Sequence, residues 1–134
     1  MALATRKGRP ALGTLEPGQD VIVKLSPNDS RRRPREECYL PGRVRKVARV
    51  WIEIERVGDT GWPKEWRMRR DVQHEGSTYS GSNASFATLE QHAWDETYTW
   101  ASGVLSAAGI RLDPGSPWRD REIELADLIS KAEQ

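Results

Sequence analysis

From Val50 to Glu55 apolar and polar residues alternate without a break. Val50, Ile52 and Ile54 point one way; Trp51, Glu53 and Glu55 point the other. This is the pattern of a strand with one buried face, and three further segments read as strands. Pro17-Gly18 marks a turn, and the β-branched run after it, Val21 to Leu25, places Val21, Val23 and Leu25 on one face. A second strand reads from Tyr39 to Val47. Val44 and Val47 stand three apart, which breaks the period of two and predicts a bulge, with Ala48-Arg49 at the hairpin tip. A fourth strand runs from about Trp62 to Asp71, with Trp66 and Met68 on one side and Arg67 and Arg69 on the other. Four strands at short spacing predict a meander that curls into a small barrel.

Beyond Val72 the pattern changes. His74 to Ala87 is rich in Ser, Gly and Asn and reads as a linker loop. Thr88, with Gln91 three residues on, predicts a capping box, a helix to about Ala108 and a stop at Gly109. Two adjacent stripes cover about half of that helix: Leu89, Ala93, Thr97, Trp100 and Val104, then Trp94, Tyr98, Ala101 and Leu105. So wide an apolar surface predicts two neighbours, the barrel and a last helix. Ser116 as N-cap and Pro117 as first helical residue predict that last helix, which would bury Trp118, Leu125 and Ile129 and end near Lys131. Trp94, Trp100 and Trp118 are expected in the core. The expected class is α+β: residues 1–14 a flexible basic arm, 15–72 an antiparallel β-barrel, 73–87 a linker loop, and 88–134 two C-terminal helices packed on the barrel.

Length and composition fit one domain. The chain has 134 residues, of which 37% are hydrophobic and 31% charged, and its six Trp supply the apolar surface that a disordered chain would lack. Cys38 is the only cysteine, so no intramolecular disulfide can form. It reads as a small hydrophobe at a strand start, in a chain of a reducing compartment. No apolar run approaches the ~20 residues of a membrane span. Met1 to Ala4 is too short for a signal peptide and is followed by Arg6, Lys7 and Arg9, so a cytoplasmic location is expected.

The net charge of +1 hides an asymmetry. Met1 to Val72 holds 17 Lys and Arg against 10 Asp and Glu; Gln73 to Gln134 holds 4 against 10. A basic first half points to an anionic partner. Catalytic chemistry has no such signal. There is no Gly-x-Ser-x-Gly and no phosphate-cradling glycine loop, and His74 and His92 have no partner at ligand spacing, so no enzyme, cofactor or metal is expected. Glu53 and Glu55 read as cross-strand partners of Arg67 and Arg69.

Two basic elements remain. Arg6-Lys7-Gly8-Arg9-Pro10 resembles the core of an AT-hook, an arginine arm for the narrow minor groove. The loop Ser26 to Glu37 carries Arg31, Arg32, Arg33 and Arg35. With Arg43, Arg45, Lys46, Arg49 and Trp51 it predicts a basic, aromatic-bearing barrel face. The predicted contact residues are Arg6, Lys7, Arg9, Arg31, Arg32, Arg33, Arg35, Arg45 and Trp51, and the predicted partner is DNA or RNA. The rival reading is a protein-interaction module, such as a phage protein that binds a host factor, since exposed Trp and Arg also mark protein hot spots. One continuous basic face favours nucleic acid; a mixed face with exposed Trp favours protein.

Leu15 to Lys24 together with Gly42 to Glu55 resembles the start of small SH3-like barrels of the KOW and Tudor kind: a Pro-Gly turn before a β-branched strand, a Gly-Arg-Val strand and an aromatic-bearing hairpin. Ala48 stands where KOW barrels have a glycine. The resemblance implies an SH3-like barrel with contacts made by loops, here Ser26 to Glu37. Val47 to Glu55, Trp62 to Asp71 and Ala93 to Glu96 also resemble small uncharacterised proteins encoded by actinobacterial phages.

Overall fold

Five strands pair in the order β4-β3-β2-β1-β5, every neighbouring pair antiparallel. They are β1 (Asp20–Lys24), β2 (Tyr39–Val47), β3 (Trp51–Arg56), β4 (Glu65–Arg69) and β5 (Ser85–Thr88), and the helices α1 (Leu89–Ala107) and α2 (Glu122–Ala132) follow. The fold is α+β, a curled antiparallel sheet or half-barrel followed by two helices. The computed structural model describes residues 8–26, 31, 33–58, 64–75 and 83–133, and the backbone alone at Arg35 and Glu36. Arg6, Lys7, Arg32 and the start of the predicted fourth strand at Trp62 lie outside the described residues. Residues 11–90 form one compact unit; residues 91–134 and the segment ending at Pro10 form another.

Period two explains the first unit. Val21 and Val23 of β1, Leu40 and Val44 of β2, Ile52 and Ile54 of β3, Trp66 and Met68 of β4 and Phe86 of β5 all turn inward and are buried, with Leu15 and Leu25 beside them. Gly42 makes the close approach of the three middle strands possible. A Cβ there would lie 2.9 Å from Ile54 Cγ2 and 3.0 Å from Val23 Cγ2. The expected bulge is present. Val44 pairs with Ile54 and Lys46 with Glu53, so Arg45 is the extra residue. Its insertion lets both Val44 and Val47 reach the core.

The predicted linker contains β5, a correction to the four-strand reading. Ser85-Phe86-Ala87-Thr88 has a single large apolar residue and follows a Ser/Gly-rich run, so no alternation announces it. Residues 73–75, just after β4, meet this strand: His74 bridges Ser85, the Phe86 N–H donates to the Gln73 carbonyl (2.9 Å), and the Glu75 N–H to the Ala84 carbonyl (3.0 Å). The chain leaving β4 therefore engages the far edge strand, which satisfies backbone groups of an otherwise open edge. The segment expected as a free arm is anchored at its end, where Leu12 packs on the core.

In the second unit α1 closes as Gly109 predicts. Gly109 has φ +73, its N–H donates to the Ser106 carbonyl (3.0 Å), and the Ile110 N–H reaches back to Leu105 (2.9 Å). The second helix starts five residues later than Pro117. The Ser116 hydroxyl does accept the Trp118 N–H (3.2 Å), but Asp120 at φ +69 ends that turn, and α2 begins at Glu122. The seam between the helices is Ala101, Leu105 and Ala126, all buried, with Val104, Ile110, Ile123, Leu125 and Ile129 around it. Trp100, expected in the core, is 44% exposed, and Trp94 and Trp118 are half-buried. The seam centres on Ala101, and one residue back along a helix is a rotation of about 100°. Among the described residues no helix is long and apolar enough to cross a membrane.

Candidate nucleic-acid interface

The outward residues of the sheet follow from the same alternation. Pairing of β3 with β4 sets Arg69 opposite Trp51, Arg67 opposite Glu53 and Glu65 opposite Glu55. Arg67 does not take the carboxylate facing it. Its guanidinium lies 4.4 Å from the Trp51 ring centroid, and that of Arg69 lies 6.0 Å away. Arg69 forks Asp71 at 3.0 and 2.9 Å, and this hydrogen bond holds the Asp71 carboxyl below the usual carboxylate range. Glu53 is taken by Arg45, the bulge residue.

Arg45 is 2.9 Å from Glu53 and 2.9 Å from Glu65, and the Glu53 hydrogen bond followed by the charge of Glu65 raises its pKa. Its charge is thus matched twice over within the sheet. The middle of the outer face is mixed in sign, not the continuous basic surface the sequence predicts, so by the criterion above this part favours the protein-interaction reading and only the hairpin end keeps the nucleic-acid one.

The β2–β3 hairpin end of the sheet differs. The Ala48 N–H donates to the Trp51 carbonyl (2.9 Å) and closes the turn, while the Arg70 N–H donates to Val50 (2.9 Å) and its side chain to Ala48 (3.3 Å). Arg49, Val50, Arg69, Arg70, Asp71 and Leu12 line a groove of about 400 Å³, with Val50 41% exposed. Arg67 and Arg69 stand at Trp51, and Arg49, Arg69 and Arg70 stand at Val50 with Asp71 among them. No ion pair engages Arg49 or Arg67 among the described residues.

The other predicted contact residues lie elsewhere. Arg31 and Arg33 are exposed, on the β1–β2 connection. That connection enters β2 at Tyr39, and nine residues of strand, roughly 27 Å, separate it from the hairpin end. The structure therefore does not bring Arg31 and Arg33 to Trp51. Arg9, expected on a free arm, forks Asp95 at 2.7 and 2.8 Å, and its side chain is 8% exposed. The Cys38 thiol, just before β2, lies 3.4 Å from the Pro34 carbonyl. Among the described residues no three metal-ligating side chains come together.

Sequence reasoning assigned Arg67 and Arg69 to ion pairs and gave Arg70 no role. The signal was present: Trp66 and Met68 inward force Arg67 and Arg69 outward, onto the strand that pairs with Trp51.

The model of the phage ProQ C-terminal-like domain matches residues 1–132. The chain belongs to the phage ProQ C-terminal-like domain family. No curated protein and no solved structure matches it. The match runs through the sheet unit and the helical unit alike, so both are parts of this phage ProQ C-terminal-like domain. It bears out the phage association of the sequence and does not extend to the KOW or Tudor resemblance.

Proposed function

We propose that this domain is a non-catalytic binding module that contacts single-stranded nucleic acid, RNA foremost, through the hairpin end of its sheet. The observation that carries the reading is the Trp51 ring with Arg67 and Arg69 against it, Arg69 being shared with the groove that Arg49 and Arg70 line. A single strand presents phosphates and base faces together. Guanidinium forks match the phosphates, and both indole and guanidinium planes stack on bases. A duplex hides its base faces, so it offers this surface only phosphates. The ProQ-like character of the family supports RNA, since ProQ-like domains are associated with RNA binding.

Photo-crosslinking tests the reading: a 4-thiouridine-substituted RNA is irradiated with the protein and the modified peptides are mapped. Adducts on Trp51 and on residues 49 and 67–70 are expected. Adducts confined to residues 31–38 or to the helical unit, or none, would contradict it.

A further inference from the structure

The helical unit carries a groove that the nucleic-acid reading does not use. It measures about 520 Å³ and is lined by Trp94, Tyr98 and Trp100 from α1 and, around the start of α2, by four carboxylates and by Arg121, which forks one of them, Glu124, a volume within the range of ligand clefts. Trp94 and Tyr98 stack with ring centroids 5.2 Å apart, and Trp100 stands 44% exposed. The groove thus sets aromatic faces against carboxylates.

That pairing selects one chemistry. Phosphate is repelled by the carboxylates, and an apolar ligand would strip them of water without replacing it. A guanidinium meets both surfaces at once, its plane on a ring and its fork on a carboxylate. The unit already uses this chemistry within itself. Arg121 lies 4.4 Å from the Trp118 ring centroid while forking Glu124 at 2.9 and 2.8 Å, and Arg9 forks Asp95 beside Trp94. The charge of the surroundings agrees: residues 91–134 hold eight Asp and Glu against four Lys and Arg.

We infer that this groove is a docking site for an arginine-bearing segment of a partner protein. The rings supply the stacking platform, and Asp120, together with Asp127 in its exposed pair with Lys131 (2.9 Å), supplies charge at its rim. The inference is independent of the nucleic-acid surface, which lies in the other unit.

Calorimetry of the full chain with a capped hexa-arginine peptide at low salt is the test, with hexa-lysine and hexa-glutamate beside it. Hexa-arginine is expected to bind more tightly than hexa-lysine, and binding of hexa-glutamate, which meets the arginines of the sheet unit, should not respond to substitutions in this groove. Asp120→Asn with Asp127→Asn should weaken hexa-arginine binding about tenfold. Asn tolerates the positive φ at residue 120. Trp100→Ala, at an exposed position, should weaken it about fivefold. Asp113→Asn with Glu133→Gln removes the same charge outside the groove and should change it less than about twofold. Equal weakening by the two charge pairs would reduce the effect to net charge and overturn the site. So would absence of hexa-arginine binding, or a concentration-dependent dimer abolished by Trp100→Ala, which would assign the groove to a second copy.

Discussion

The two units bury themselves by different means. In the sheet unit Val23, Ile52 and Met68 are wholly buried, large side chains from all five strands share one core, and those of β1 and β3 meet over Gly42. In the helical unit the buried seam is Ala101, Leu105 and Ala126, and the large aromatic residues lie beside it. The difference teaches where each unit can carry chemistry. An interlocked sheet fixes its outward side chains by register, so Trp51, Arg67 and Arg69 meet because Ile52 and Met68 cannot slip. A small-residue seam lets helices approach closely and leaves Trp94, Tyr98 and Trp100 to line a groove.

Core truncation is the strongest way to break this comparison. Ile52→Ala should cost about 2–5 kcal/mol, read as a lowered urea midpoint, because it leaves a void in a packed interior. Gly42→Ala should cost about 1–3 kcal/mol, since its methyl would lie 2.9 Å from Ile54, closer than real side chains approach, and 3.0 Å from Val23. Trp100→Ala should cost less than about 1 kcal/mol, where a buried Trp would cost about 3–5. A large loss at Trp100 would put the residue in a core and erase the contrast between the units.

The smallest effect is electrostatic and exposed. Arg69 holds the Asp71 carboxyl below its ordinary range, first through their hydrogen bond. A carboxyl with a lowered folded-state pKa contributes stability above its ordinary pKa, and that contribution is lost as pH falls through the lowered value. Carbon NMR titration of Asp71 should therefore show a midpoint below that of a free aspartate, and Arg69→Gln should bring it back. An Asp71 midpoint unmoved by Arg69→Gln would remove the fork that holds Arg69 at the hairpin end.

The sheet was largely legible because its inward residues are large and strictly alternating. Val50 to Glu55 and Trp66 to Arg69 announce both face and partner, and the spacing of Val44 and Val47 announces the bulge. The fifth strand was not, because Phe86 alone cannot show a period. The helical seam was misjudged because a wide apolar stripe does not distinguish aromatics that fill a core from aromatics that line a surface. Trp100 and Ala101 are neighbours in sequence and differ in burial through one helical step. The site was half legible. Trp51 is marked by its face, but a run of arginines in the sequence says nothing of where its loop lies, and the β1–β2 connection holds Arg31 and Arg33 at the opposite end of the sheet. Arg45 has the right charge and face, and only the register shows Glu53 and Glu65 already on it.

Binding of a single-stranded RNA, followed by fluorescence anisotropy across a series of salt concentrations, tests the central claim most directly. Each phosphate contact in a single strand contributes about 0.7 to the slope of log affinity against log salt. The variant R49A/R70Q should weaken binding and flatten that slope by roughly 1.4, the share of two contacts, while R31A/R33A leaves the slope unchanged. A slope unmoved by R49A/R70Q and flattened by R31A/R33A, or no binding at the lowest salt, would contradict the account.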